Sequence, residues 1–170
     1  MAATPLNGDI EQQGELILSS PEFDDSEGMP DFVGYVNDDE NPELHIESVP
    51  EEAESLVLIV DDPDAEPAAG HVWNHWAVWD IDPDIGMIPR GWDGDAIEGY
   101  NDFVEQGYSG PSPPDGAHGY RFKLLALDSE LDMPPETRKS RLGSAITLNA
   151  EVLAATQIVG EYHPDQGTAF

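Results

Sequence analysis

Short apolar runs separated by turns rich in glycine, proline and aspartate make up most of this chain, and they favour a mostly β fold. Leu56–Val60 is continuously apolar, which is typical of a strand covered on both faces. Residues 75–81 and 120–128 read as two further strands with alternating faces. In the first of them, the odd-numbered residues are predicted to share one face.

Helical signals are confined to the end of the sequence. Residues 136–146 are predicted to form one helix. A second helix is predicted to begin with Asn149 as its N-cap and to end at Gly160. Residues 82–110, which are rich in glycine, aspartate and proline, read as a long irregular connection.

The length of 170 residues fits one domain. Residues 1–13 are polar and unpatterned, so we predict a mobile tail followed by a single domain over residues 14–170. The chain has no cysteine, and therefore no disulfide or thiolate chemistry. It shows neither a signal peptide nor an apolar run of transmembrane length, so we expect a cytoplasmic protein without membrane insertion.

The charge of the chain is extremely one-sided, with 36 acidic and 6 basic residues and a formal net charge of −30. Such a balance argues against binding to nucleic acid or to anionic membranes, which both need a basic surface. The apolar runs and four tryptophans indicate a folded core rather than a disordered acidic chain. A carboxylate-covered surface of this kind suggests a halophile, whose salty cytoplasm screens the self-repulsion.

The first chemical motif is Asp62-Pro63-Asp64, which follows an apolar strand and precedes a strand that begins near His75. Proline fixes its own φ and biases the residue before it towards extended geometry, so both aspartates can project to a common side. In isolation, such aspartates often bond to nearby backbone amides, and such a histidine is often satisfied by a carbonyl in the core. A histidine buried near carboxylates can instead hold a proton near neutral pH, while an aspartate orients its other nitrogen.

The second motif runs from Gly110 to Tyr120 and begins with a stiff loop that holds three prolines. Glycines in such a loop allow close approach to the backbone, and its amides can form a nest for an anion. His118 and Tyr120 share one face of the strand that follows. Taken alone, the loop is equally typical of a surface turn. Trp73, near the first motif, is either a pocket wall or ordinary core.

In this order and spacing, the two motifs resemble the phosphatidylethanolamine-binding protein family, and within it the bacterial and archaeal Raf-kinase-inhibitor-like branch. The likeness runs from about Leu16 to Tyr162, and it includes Gly14–Phe23 as a first strand and Lys123–Asp128 as the strand after the second motif. The resemblance implies a large antiparallel sheet packed on a smaller sheet, with short helices at the C-terminal end.

The resemblance also implies a ligand pocket, a protein without a resident metal or cofactor, and a link to kinase regulation. The residues that match the family pocket are Asp62, Pro63, Asp64, Trp73, His75, Ser112, Pro113, Pro114, His118 and Tyr120.

Three residues depart from the family pattern. Glu66 is inserted between alanine and proline after the acidic turn, and Ser112 stands where relatives have glycine or cysteine. Gly119 replaces the arginine that usually follows the second histidine. Arg121 lies on the same strand face as residue 119, so we expect it to replace part of the lost guanidinium.

Three classes of function remain open at this point. The leading hypothesis is a binding module for a phosphate-like anion, on a phosphorylated metabolite, headgroup or protein partner. The alternative is a hydrolase that uses Asp64, His75 and His118 either as a metal site or as general acid and base. A third is an interaction protein with a vestigial pocket. No Gly-x-Ser-x-Gly elbow, His-Glu-x-x-His motif or P-loop supports an enzyme.

A homodimer is also expected, because prokaryotic members of the resembling branch are often dimeric. The apolar residues Met87, Ile88 and Trp92 in the long connection are candidates to face the partner.

Folding should require salt, because 23 acidic residues and no basic residue precede Arg90. The Debye length is roughly 3 Å in molar salt and roughly 30 Å at about 0.01 M, where repulsion reaches across the domain. We expect desalting to abolish the near-UV circular dichroism or to lower the melting temperature strongly. A melting temperature that does not change between the two conditions would contradict the halophilic interpretation.

Overall fold

The computed structural model describes residues 6–167, which form two sheets and three helices. In chain order the strands are β1 (Ile17–Ser19), β2 (Glu27–Gly28), β3 (Leu44–Glu47), β4 (Ser55–Asp62), β5 (Trp73–Ile81), β6 (Met87–Ile88), β7 (Ile97–Glu98), β8 (His118–Leu127) and β9 (Val152–Tyr162). The helices are α1 (Glu66–Ala69), α2 (Lys139–Asn149) and α3 (Pro164–Gly167), and 3-10 turns lie at Asp31–Val33 and Pro63–Ala65.

The larger sheet has six strands in the order β2-β9-β8-β4-β5-β7, and the smaller sheet has three in the order β1-β3-β6. Every strand pair is antiparallel except the edge pair of β2 with β9, which is parallel. The prediction of a large sheet, a smaller sheet and few short helices is confirmed. No helix within residues 6–167 is long and apolar enough to cross a membrane.

Strand β4 is buried along its whole length, as its continuous apolar run predicts. Leu56, Leu58 and Val60 belong to the core between the two sheets, together with residues of β1, β3 and β6. Val57 and Ile59 point to the opposite face, where α2 covers a second apolar cluster. The central strands are therefore fixed from both sides, and the ends of β4, β5 and β8 have a rigid base.

The predicted second helix is wrong, because residues 152–162 form the long strand β9. This strand pairs with β8 over almost its full length, so tertiary pairing outweighs the helical preference of its alanines. Asn149 is the last residue of α2 and not an N-cap. The first predicted helix is real, but it spans Lys139–Asn149 instead of residues 136–146.

The predicted alternation of β5 fails at two β-bulges. The pairing with β4 shifts between Val60 and Asp61, and it skips His75. As a result His75 and Trp76 lie on the same side of the sheet, although they are neighbours in sequence. The second shift, between Leu56 and Leu58, brings Ile81 into the core between the sheets.

Residues 6–13 lie against the larger sheet, in contrast to the mobile tail that we predicted for residues 1–13. Leu6 is buried in the cluster under α2, and Gln13 pairs with Ala155 through both backbone hydrogen bonds. These apolar and backbone contacts hold the segment against the sheet. The remainder of the predicted tail, residues 1–5, lies outside the described residues.

The connection over residues 82–110 is less irregular than predicted, because it contains the short strands β6 and β7. Of the three side chains expected to face a partner subunit, Ile88 is fully buried and Trp92 packs against the core between the sheets. Met87 is exposed.

Candidate functional site

The acidic turn at the end of β4 is held by its own side chains. Asp62 caps the 3-10 turn Pro63–Ala65, and its Oδ1 accepts a hydrogen bond of 2.9 Å from the Asp64 amide. Proline at the first position of the turn suits this geometry, because its φ is already fixed. The local bond anticipated for an isolated Asp-Pro-Asp is thus present, but it uses only one of the Asp62 oxygens.

The second oxygen of Asp62 holds His118. The distance from Asp62 Oδ2 to His118 Nδ1 is 2.7 Å, and both residues are buried. His118 Nε2 lies 3.2 Å from the exposed carboxylate of Asp115. Burial alone would lower the pKa of His118, but the hydrogen bond and charge of Asp62, with help from Asp115, outweigh it and raise the pKa above 6.5. The pairing with Asp62 therefore favours the protonated form of His118.

The pKa of His75 is shifted in the opposite direction. Its Nδ1 donates to the carbonyl oxygen of Ser109 at 2.7 Å, and burial lowers its pKa below 6.5. The ring packs edge-on against Tyr120 and Phe103, with centroids 5.2 and 5.5 Å away. We expected an aspartate to orient this histidine. Instead a carbonyl orients neutral His75, because the bulge in β5 turns its ring towards the Ser109 loop, and Asp62 orients His118.

Two buried donors near the histidines lack a partner in the described part of the chain. The Tyr120 hydroxyl and the indole Nε1–H of Trp73 are buried without a partner at full hydrogen-bond distance, and the Tyr120 hydroxyl lies near the carboxylate of Asp62. Burial, followed by the charge of Asp62, raises the pKa of Tyr120, so its hydroxyl stays protonated. An unsatisfied buried donor costs stability, which makes both groups candidates for contact with a ligand.

The proline-rich loop that begins at Gly110 forms another wall of the site, and hydrogen bonds fix the start of this loop. The Gly110 amide donates to Asp39 at 2.7 Å, and Pro111 accepts a hydrogen bond of 2.9 Å from the Tyr35 amide. A Cβ at Gly110 would meet the carbonyl oxygen of Val33 head-on, so only glycine allows this approach. The loop is thereby tied to the segment before β3.

Together these elements enclose a cavity of about 480 Å³. Of the ten residues predicted from sequence, nine line it: Asp62, Asp64, Trp73, His75, Ser112, Pro113, Pro114, His118 and Tyr120. Pro63 does not line the cavity and acts through the turn that it begins. Sequence reasoning missed the other eight lining residues, which are Ala65, Pro67, Ala68, Ala69, Phe103, Asp115, Gly116 and Ala117. Phe103 lies in the connection over residues 82–110, where no local pattern marks it, whereas Asp115 could have been found by its spacing of three from His118.

Two of the departures from the family pattern have structural consequences. Glu66 opens the additional helical turn α1, at the rim of the cavity. The Gly119 amide donates to Asp64 Oδ2 at 2.9 Å, so the carboxylate of Asp64 approaches the backbone where a side chain is absent.

Arg121 does not replace the missing guanidinium, contrary to our expectation. Its Nε donates to Asp61 at 2.7 Å on the other face of the sheet, and a second nitrogen donates to the Asn7 carbonyl. The reason is the bidentate pairing with the buried carboxylate of Asp61, which holds the guanidinium on the face opposite to His118 and Tyr120.

The proposed metal site is not supported by the arrangement of its residues. Within residues 6–167, no group of three or more histidine, cysteine, aspartate or glutamate side chains is placed to hold a metal ion. His75 and His118 each engage Nδ1 with another group, Ser109 and Asp62 respectively. The acid–base alternative for these residues stays a prediction.

Comparison with known proteins gives a family for this arrangement. The family model described as phosphatidylethanolamine-binding protein matches residues 19–163. The chain belongs to the phosphatidylethanolamine-binding protein family.

Its relatives come from both archaea and bacteria. A UPF0098 protein of Methanothermobacter thermautotrophicus is 38% identical over 157 residues, which cover 85% of this chain and 97% of that protein. A UPF0098 protein of Chlamydia trachomatis is 36% identical over 127 residues, which cover 74% of this chain and 83% of that protein. Neither name is that of an enzyme.

Solved structures of this family share the fold. A phosphatidylethanolamine-binding protein homologue from Chlamydia trachomatis matches with a TM-score of 0.82 and 32% identity, covering 88% of this chain and 98% of that one. E. coli YbcL, a member of the mammalian family, matches with a TM-score of 0.78 and 26% identity over the same shares of the two chains.

Replacing Gly110 with alanine should destabilise the protein, because the new Cβ meets backbone atoms that cannot move aside. We expect Gly110→Ala to lower the free energy of unfolding by about 1–3 kcal/mol, as overpacking does. The matched control is Gly116→Ala in the same loop, where a Cβ meets no atom within 4 Å. The control should change stability by less than about 0.5 kcal/mol. Equal effects in denaturant titrations in molar salt would show that the loop is not pinned at Gly110.

Proposed function

We propose that this protein is a binding module whose cavity takes a small oxyanion, such as the phosphate of a phosphorylated metabolite or headgroup. The observation that carries the proposal is the grouping of His118, which is held by Asp62 and has a raised pKa, with the buried donors of Tyr120 and Trp73 in a single cavity. Donors that lack an acceptor in a concave site are suited to a ligand rich in acceptors.

The carboxylates of the cavity are compatible with a bound anion because each one already interacts with a hydrogen-bond donor or with solvent. Asp62 is paired with His118 and also accepts from the Asp64 amide. Asp64 accepts from the Gly119 amide and sits at the rim, where solvent screens it. Asp115 is exposed beside His118 Nε2, and an arriving oxyanion can compete with it for that donor.

The remaining walls favour an anion attached to an organic group. Ala68, Ala69 and Phe103 give the cavity an apolar side, across from the polar residues at the ends of β4 and β8. Inorganic phosphate would leave this side empty, whereas a short organic substituent would cover it. We therefore favour a phosphorylated small molecule over free phosphate as the natural ligand.

We further propose that the chain belongs to the Raf-kinase-inhibitor-like branch, comes from a halophile and acts in the cytoplasm through a protein partner. The mixture of archaeal and bacterial relatives supports the branch, and the charge of −30 supports the halophilic source. A homodimer has weaker support, because Met87 is the exposed member of the three apolar residues considered for it. Light scattering in molar salt tests the oligomeric state, and a monomeric mass would remove the dimer.

Removing the Tyr120 hydroxyl should weaken anion binding without loss of stability. The hydroxyl has no partner in the described residues, so Tyr120→Phe removes a buried unsatisfied group and leaves the fold at least as stable. If the hydroxyl donates to an anion, its loss should weaken phosphate binding by roughly ten- to a hundredfold. Isothermal titration calorimetry and thermal melts of the same variant measure the two effects.

The matched control for this variant is Tyr108→Phe. The Tyr108 hydroxyl donates to the Val33 carbonyl at 2.9 Å, and its side chain does not line the cavity. This variant should lose stability and keep its phosphate affinity. If Tyr120→Phe kept its phosphate affinity and Tyr108→Phe lost it, the Tyr120 hydroxyl would not be a donor to the anion.

Anion affinity should fall as the pH rises above neutrality. The pKa of His118 is raised above 6.5, so its positive charge is complete at lower pH and disappears as the pH passes the raised value. His75 contributes little to this dependence because burial keeps it neutral. Calorimetric titrations with sulfate, whose own charge is constant over this range, should show the decrease.

Variants separate the titration of His118 from general effects of charge. His118→Gln should bind sulfate weakly and without this pH dependence. His163→Gln, at an exposed position outside the cavity, should retain the wild-type profile. A profile that is the same in all three proteins would mean that His118 is not the titrating group.

A further inference from the structure

A second cavity, of about 260 Å³, lies on the opposite face of the larger sheet, where the N-terminus of α2 meets β5. Its lining includes Asn74, Asp102, Arg138, Lys139 and Ser140. Asn74 and Trp73 are neighbours in β5, but their side chains alternate, so Trp73 lines the first cavity and Asn74 the second.

The second cavity contains an unpartnered buried amide. Asn74 is 2% exposed, and neither its Nδ2 nor its Oδ1 has a hydrogen-bond partner in the described part of the chain. Buried side-chain amides in folded proteins are nearly always bonded, either to protein or to a bound molecule. This group is the strongest sign that the cavity is built around something.

The basic side chains at this cavity are hydrogen-bond donors whose N–H groups are not all used by the contacts they make. Arg138 has one ion-pair contact, with Asp102 at 3.8 Å, which is too long for a hydrogen bond. The Nζ of Lys139 is 3.5 Å from its carboxylate partner Asp61. Arg138 is also the N-cap of α2, and its side chain makes no capping bond. The first amides of this 11-residue helix therefore point towards the cavity end without a side-chain acceptor.

Basic residues are concentrated at this cavity, in a protein whose formal net charge is −30. Arg138 and Lys139 line it, and Asp102 is the one acidic residue among its lining residues. Two further basic residues, Arg121 and Lys123, lie next to it and share the carboxylate of Asp61 with Lys139.

We propose that this cavity is a second binding site, separate from the first, for a small oxyanion of the carboxylate or phosphate class. The helix N-terminus, Arg138 and Lys139 supply positive potential, and the Asn74 amide supplies a directed donor. The volume corresponds to roughly nine water molecules at about 30 Å³ each, which suits an anion of several atoms better than a halide. Asp102 accepts from the Asn74 backbone amide at 2.6 Å and lies 3.8 Å from Arg138, which offsets its negative charge.

The test is an NMR titration of the whole chain with citrate and with inorganic phosphate, in fixed molar potassium chloride. The titrated protein carries the double change His118→Gln with Tyr120→Phe, which removes anion binding in the first cavity. The result therefore does not depend on whether the first cavity binds anions in the wild-type protein. We expect saturable shifts of the Asn74 side-chain amide and of the Ser140 backbone amide. If only one of the two anions gives them, that anion identifies the class. Because the chloride concentration is constant, a site that binds only halide would give no shift during the titration. The absence of shifts with both anions would therefore overturn the proposal.

A matched pair of arginine variants completes the test. Arg138→Gln, at a half-exposed position of the cavity, should weaken the titrated affinity by at least about tenfold. Arg141→Gln makes the same charge change on the exposed side of α2, away from the lining residues, and should bind like the parent. Equal weakening in both variants would indicate unspecific attraction to the helix and would overturn the proposal.

Discussion

A single buried carboxylate, that of Asp61, holds together the parts of the chain that carry both cavities. It accepts hydrogen bonds from Arg121 and from the fully buried Lys123, each at 2.7 Å, and it faces Lys139 of α2. A charge taken out of water is costly unless it is paired and bonded, so these elements must meet in one arrangement. Burial, opposed by Asp61, lowers the pKa of Lys123 to about 8, which reflects how dry this cluster is.

The cluster also explains why the N-terminal segment is part of the domain. Besides its bond to Asp61, Lys123 donates to the Leu6 carbonyl, and Arg121 donates to the Asn7 carbonyl. Asp62, the next residue of the chain, lies on the opposite face of the sheet, where it faces the first cavity and holds His118. One end of β4 thus supplies adjacent carboxylates to the two faces of the sheet, one for cohesion and one for the ligand site.

Local sequence patterns predicted what depends on short-range chemistry. The apolar run of β4, the acidic turn and the proline-rich loop were recognisable, and nine of the ten predicted site residues line one cavity. What escaped prediction depends on pairing between distant segments. The strand β9 was taken for a helix because its ten-residue partnership with β8 leaves no local mark. The opposite pKa shifts of the two histidines were likewise undetermined, because they depend on the burial of His75 and on the carboxylate of residue 62 beside His118.

The bulge at His75 places the start of β5 between two cavities, one on each side of the sheet. Trp73 and Asn74 lie between the bulge and the strand end, and each contributes to one cavity only. Evolution can therefore alter the two sites independently by substitution, since alternate positions affect alternate sites. It cannot shorten this segment by one residue, because such a deletion would exchange the faces and place the indole and the amide in each other's cavities. Length is consequently the property of this segment that selection has to preserve, while composition stays free to diverge.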